Sequence, residues 1–199
     1  MDVGVRAASL GLGPVTLGPV AGRVTVDRGR AVVALDEVGA YGGTVAGEFV
    51  VNGRKGLSVG GDLAFRNIDL QPMLTDLTGF ARLVGTGDLT LNFLGSGNSV
   101  DAIMTGLSGS GVLNLGAGAI EGLDIAGMIR TLDTGFVGEG QRTVFDSLSA
   151  SFEIDGGDLF NRDLLMAGPV VSAEGAGRIG GIGGEETRHR IRERFADEV

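Results

Sequence analysis

Apolar and polar residues alternate with period two along most of this chain. From Leu83 to Phe93 the odd positions are Leu83, Gly85, Gly87, Leu89, Leu91 and Phe93, while Thr86, Asp88, Thr90 and Asn92 fill the even ones. Leu57 to Phe65 repeats the pattern, with Leu57, Val59, Gly61, Leu63 and Phe65 on the apolar side. Such alternation predicts strands with one dry and one wet face. Similar stretches run over Ala21–Val26, Ala31–Val38, Gly43–Val51, Gly109–Leu115, Leu148–Ile154 and Val171–Ile179. Turn signals separate them: Asp27-Arg28-Gly29, Tyr41-Gly42-Gly43, Asn52-Gly53, Gly95-Ser96-Gly97-Asn98, Gly116-Ala117-Gly118 and Asp155-Gly156-Gly157-Asp158. Asn-Gly and Asp-Gly pairs supply the positive φ of tight hairpins, so the succession predicts an antiparallel meander.

Three stretches switch to helical spacing. In Asp69–Leu77 the apolar residues fall at 70, 73, 74 and 77, with Asp69 placed to cap and Pro72 in the first turn. Ser99–Leu107 is similar, with Ser99 as the cap. The third runs from Gly122 to Leu132, capped by Asp124. The first and third match each other as Asn67-Ile68-Asp69-Leu70-x-x-Met73-Leu74 and Gly122-Leu123-Asp124-Ile125-x-x-Met128-Ile129. Two copies of a strand-to-helix corner suggest a repetitive β architecture. After Gly180 the character changes again: Gly180–Gly184 reads as a linker. Glu185–Val199 carries five acids, four Arg and a thin stripe of Ile191, Phe195 and Val199, which predicts a charged tail with a short helix. The expected organisation is residues 1–179 as one β region and 180–199 as linker and tail.

Composition narrows the function. Gly makes up 38 of 199 residues, about 19% against a usual level near 7%. With 43% hydrophobic residues the chain still has enough apolar side chain to fold, and its glycines lack the three-residue period of collagen. A net charge of −9 argues against nucleic acid and against a polybasic membrane anchor. The absence of Cys removes disulfides and Cys-based metal or redox sites. No stretch approaches the roughly 18 apolar residues of a membrane-spanning helix, and Met1–Arg6 does not open a signal peptide.

Motifs for catalysis are weak. Gly175-Ala176-Gly177-Arg178-Ile179-Gly180 matches a dinucleotide-binding string, but a chain this rich in Gly makes on the order of one such match by chance, and no helix opens after it. Gly56-Leu57-Ser58-Val59-Gly60 matches a nucleophile elbow, yet strand alternation continues where the elbow needs a helix. The single His, His189, lies in the charged tail. Asp155, Asp158 and Asp163 cluster about a turn without the spacing of a calcium loop. The expectation is no catalytic residue, no metal, no cofactor and no enzyme activity.

What remains is a glycine-rich sheet whose apolar face carries Leu and Phe. Gly on that face lets a sheet bend and lets another group approach the backbone. An unclosed, curling sheet of this kind makes an oily groove. A small sandwich or barrel, in which the same residues pack on one another, is the alternative.

Several segments, in order, resemble the C-terminal region of the AsmA-like family of Gram-negative bacteria. Tyr41-Gly42-Gly43-Thr44-Val45-Ala46-Gly47 resembles the family's YGG strand start. Gly85-Thr86-Gly87-Asp88-Leu89-Thr90-Leu91-Asn92-Phe93-Leu94-Gly95-Ser96-Gly97 resembles its glycine-flanked strand and turn. Leu107-Ser108-Gly109-Ser110-Gly111, Gly118-Ala119-Ile120-Glu121-Gly122-Leu123-Asp124-Ile125, Phe145-Asp146-Ser147-Leu148-Ser149-Ala150-Ser151-Phe152 and Gly175-Ala176-Gly177 follow in the family's order. The resemblance spans roughly residues 15 to 179. Family members usually begin with a membrane-anchoring helix and a long β region, and continue with another strand where this chain has its glycine linker. The chain therefore reads as a C-terminal piece with an altered end.

The resemblance implies a bridge-like lipid carrier on the periplasmic side of the inner membrane, linked to phospholipid traffic and outer-membrane assembly. Implied partners are phospholipid, the inner membrane through an N-terminal anchor that this chain lacks, and other envelope or outer-membrane proteins; nucleic acid is not among them. The expected fold is mainly β, a strongly curved antiparallel sheet forming an open groove, with two or three short edge helices. Its apolar face is expected to be lined by Leu63, Phe65, Leu89, Leu91, Phe93, Leu113, Leu115, Leu148, Phe152 and Ile154. The same ten residues would serve equally as ordinary core. The competing function is a structural or assembly module that acts through β-edge or protein contacts without conducting lipid.

Overall fold

A computed structural model describes residues 1–12, 15–54, 56–78, 80–125, 127–128 and 137–180. Its strands are β1 (Asp2–Ala7), β2 (Leu10–Leu12), β3 (Val15–Leu17), β4 (Val20–Asp27), β5 (Arg30–Ala40), β6 (Gly43–Asn52), β7 (Ser58–Asp69), β8 (Leu83–Ser96), β9 (Ser108–Leu123), β10 (Val137–Phe145), β11 (Ser147–Asp155), β12 (Asp158–Ala167) and β13 (Ser172–Ile179). Two helices interrupt them, α1 (Leu70–Thr78) and α2 (Val100–Thr105). Eleven strands form one sheet in the order β1-β4-β5-β6-β7-β8-β9-β11-β12-β13, with β10 beside the C-terminal half of β9, and β2-β3 form a separate hairpin. All the pairings are antiparallel. The sheet is curved and does not close.

The hairpins follow from local backbone chemistry. Arg28-Gly29, Tyr41-Gly42 and Gly156-Gly157 all hold positive φ, which gives the two-residue turns whose twist matches the strands. The YGG segment has a physical account here. Tyr41 and Gly42 make the turn, and a Cβ on Gly43 would lie 2.2 Å from the Arg66 carbonyl oxygen, so only Gly lets β6 meet β7 there. The Tyr41 carbonyl then accepts the Asp69 N–H at 2.8 Å, tying this hairpin to the start of α1.

Bulges bend the sheet. Register shifts place an extra residue between Leu35 and Val38 in β5, between Phe65 and Ile68 in β7, between Leu115 and Gly118 in β9, and between Asn161 and Leu164 in β12. Each is a place where a regular alternation breaks. This is why β12, with apolar residues at 159, 160, 164, 165 and 166, does not read as a strand in the sequence. Gly116–Gly118 is corrected from a turn to the interior of β9, because β8 on one side and then β10 on the other keep that segment paired.

Two of the expected helices form and occupy opposite rims of β8. Asp69 Oδ1 accepts the Gln71 N–H at 3.2 Å, and Ser99 Oγ accepts the Ala102 N–H at 3.1 Å. At the third site Asp124 Oδ1 accepts the Gly127 N–H at 2.8 Å and the Asp124 carbonyl accepts the Met128 N–H at 2.9 Å; the rest lies outside the described residues, as does the tail from 181. The two repeated corners share backbone geometry, since Asn67 and Gly122 stand at equivalent positions with φ of 52° and 81°.

Candidate functional site

Strand register sorts the side chains into rows that cross the sheet. Val3, Val24, Val33, Phe49, Gly61, Phe93, Gly109, Ile154, Leu159 and Ile179 are successive cross-strand partners from β1 to β13. This row crosses ten strands without a polar side chain. The next row on the opposite face runs Arg23, Ala34, Glu48, Asp62, Asn92, Ser110, Glu153, Phe160 and Arg178. One face is therefore a continuous apolar band about 40 Å across, at about 4.8 Å per strand, and the other is charged and wet.

Glycines recur in the apolar rows, and large side chains of neighbouring strands lie over them. Gly61 stands between Phe49 and Phe93, whose ring centroids are 6.0 Å apart. Those two strands are not neighbours; the rings meet because no Cβ rises between them. A Cβ on Gly111 would lie 2.3 Å from Phe152 Cζ, and one on Gly118 would lie 2.6 Å from Phe145 Cζ. The expectation that glycine clears the face for another molecule is thus revised: at these positions the group that uses the space is the chain's own aromatic ring.

All ten expected lining residues stand on this face, in two groups. Leu89, Leu115, Leu148 and Ile154 are buried. Leu115 and Leu148 oppose each other, and with Leu89 they pack into a core with Ile68, Leu70, Met73, Phe145 and Met166 beneath α1. Leu63, Phe65, Leu91, Phe93, Leu113 and Phe152 are half-buried. Leu63 opposes Leu91, which opposes Gly111, which opposes Phe152, so three of these share one row. Residues of the same rows outside the expected set include Val33, Leu35 and Phe49, also half-buried. Their signal was the alternation of Ala31–Val38 and Gly43–Val51, which marks a face without saying how far along it solvent reaches.

Polar side chains serve the architecture. Asp88 Oδ1 accepts the Asn67 N–H at 2.9 Å and pins the β7 bulge. Asp163 pins the β12 bulge: its Oδ2 accepts the Ser151 hydroxyl at 2.6 Å, and its Oδ1 accepts the Ser151 N–H at 2.8 Å and the Asn161 amide at 2.9 Å. The Ser151 hydroxyl, then the Ser151 N–H, hold the Asp163 carboxyl below its ordinary pKa. Asp158 takes Arg178. Among the described residues no group of three or more His, Cys, Asp or Glu stands where it could hold a metal ion. Ser58 lies at the start of β7, Gly175–Gly180 runs along β13, and His189 is outside the described residues.

The sequence that folds into this open apolar sheet matches the model of the AsmA family over residues 24–164, well over half of the chain. The chain belongs to the AsmA family. No curated protein and no solved structure matches it. AsmA membership places the chain among bacterial cell-envelope proteins associated with outer-membrane assembly. Among the described residues no helix is long and apolar enough to cross a membrane.

Proposed function

We propose that this AsmA chain shields the acyl chains of phospholipid in its apolar groove, on the periplasmic side of the inner membrane, during transport toward the outer membrane. The observation that supports this most is the row from Val3 to Ile179, apolar or Gly on every strand it crosses. Exposing acyl chain to water costs about 0.8 kcal/mol per methylene, so a lipid with about 30 methylenes faces a barrier of roughly 24 kcal/mol in leaving a membrane bare. Half-buried Leu63, Leu91 and Phe152 in one row, with Phe93 in the next row of the same face, offer apolar contact along the way. Shielding is passive and asks no side chain to act as acid, base or nucleophile. The test is mass spectrometry of a solvent extract of the purified chain. Co-purified phospholipid supports the proposal; a lipid-free preparation that also fails to take up a fluorescent fatty acid overturns it. The second reading, an assembly module acting through β-edge contacts, is favoured by the outer sides of β1 and β13, beyond which no strand lies among the described residues, and predicts a lipid-free chain.

A further inference from the structure

Among the described residues no strand lies beyond β1 or β13. Unpaired edges of this kind invite strand addition. Nine successive antiparallel pairings separate the two, so β1 and β13 run in opposite directions. A second copy laid alongside, with its apolar face on the same side, therefore presents its β1 antiparallel to the first copy's β13.

The backbone groups also correspond. Met1 and Val26 exchange both hydrogen bonds at 2.8 Å each, so by alternation Val3 and Val5 face β4 while Asp2, Gly4 and Arg6 direct their N–H and C=O groups outward. On β13, the turn at Gly156-Gly157 makes Asp155 and Asp158 a hydrogen-bonded pair. Leu159 and Asn161 then face Ile179 and Gly177, leaving Glu174, Ala176 and Arg178 directed outward.

We propose that the chain associates with itself head to tail, β13 of one copy pairing with β1 of the next in the register that sets Asp2 opposite Arg178, Gly4 opposite Ala176 and Arg6 opposite Glu174. Both charged pairs form in that one register, on the wet face. A slip of two residues either way forms neither. A slip of four sets Asp2 against Glu174 in one direction and Arg6 against Arg178 in the other, which like-charge repulsion disfavours. On the apolar face the register sets Val3 against Gly177 and Val5 against Gly175, the same large-against-glycine pairing that Val5 makes with Gly22 inside the chain. Asp2 and Arg178 are 61% and 56% exposed, the first 3.8 Å from Arg23 and the second on Asp158. The joint would carry the apolar band from copy to copy without interruption. Because it joins two different edges it is heterologous, and it builds open chains or rings rather than a closed dimer.

The inference does not rest on lipid binding, and its test reads mass alone. Sedimentation velocity of the full chain at low ionic strength should show concentration-dependent association. R6E and E174R each set like charges opposite each other and should weaken it roughly three- to tenfold. The double variant R6E/E174R restores opposite charges at that position and should return association to near the wild-type level. All four residues are exposed on edge strands, and far-UV circular dichroism checks that each variant folds. A chain that stays monomeric at every concentration overturns the proposal. So does a double variant as weak as the singles. So does an unaffected E174R, the result expected if β1 pairs with β1 of another copy, or an unaffected R6E, expected if β13 pairs with β13.

Discussion

The two ends of the apolar face are built from the same ingredients and differ in what covers them. At one end the Phe145 ring lies across Gly85 and Gly118, and α1 closes over it with Leu70 and Met73, leaving Phe145 and Ile68 at 0% exposure. Further along the strands, Phe93 leans over Gly61 in the same manner, yet the ring stays half-buried. Stability is concentrated at the covered end. The open rows keep apolar surface available, which the covered end cannot do.

The largest effect should come from the covered end. Phe145→Ala removes a fully buried ring from the meeting point of β8, β9 and β10, and should cost about 3–5 kcal/mol in urea unfolding. A loss under about 1 kcal/mol would mean that this end does not anchor the fold. Glycine substitution is the next test, and it crosses the comparison. Gly111→Val, in the open region, drives a side chain into the Phe152 ring and to within 2.5 Å of the Thr90 carbonyl oxygen, and should cost about 2–3 kcal/mol. Gly85→Ala, at the covered end, meets nothing closer than 3.7 Å and should stay within about 1 kcal/mol of wild type. Thermal melts of the two variants read the difference. If both behave alike, rings filling the space above glycine is the wrong account of these rows.

Leu91→Glu separates groove from core. Its half-buried position predicts a cost of about 1–2 kcal/mol, with circular dichroism unchanged and fatty-acid binding lost. Unfolding would make Leu91 a core residue, and unchanged binding would remove it from the groove. The smallest effect concerns Asp163. Its lowered pKa means that the bulge it pins is stabilised above the ordinary carboxylate range, and that this contribution fades as pH falls through the depressed value. Wild type and Asp163→Asn should therefore differ at neutral pH and converge in acid, as read by unfolding midpoints across pH. A constant difference at all pH values would remove the carboxylate from the bulge.

Much of this architecture was legible before the structure. Period-two alternation located β4 to β9, β11 and β13, and Asp69 and Ser99 marked where α1 and α2 begin. What hid β12 was its bulge, which moves Leu164 and Met166 onto the face that Leu159 occupies, out of step with simple alternation. β10 has no alternation to read at Gly138-Glu139-Gly140, and it is a strand because β9 extends far enough to pair with it.

Between bulges, the sequence by itself determined which side chains share a face, because strand geometry sends alternate residues to opposite sides whatever lies around them. It could not determine which of those side chains stay open. Leu89 and Leu91 sit two positions apart in the same strand, each between two polar residues. Leu89 is buried and Leu91 is half-buried, because Leu89 lies nearer the rim that α1 covers. Only tertiary structure decides that, since burial depends on residues brought in from distant parts of the chain. The same holds for the relative direction of β1 and β13, which depends on how many strands stand between them.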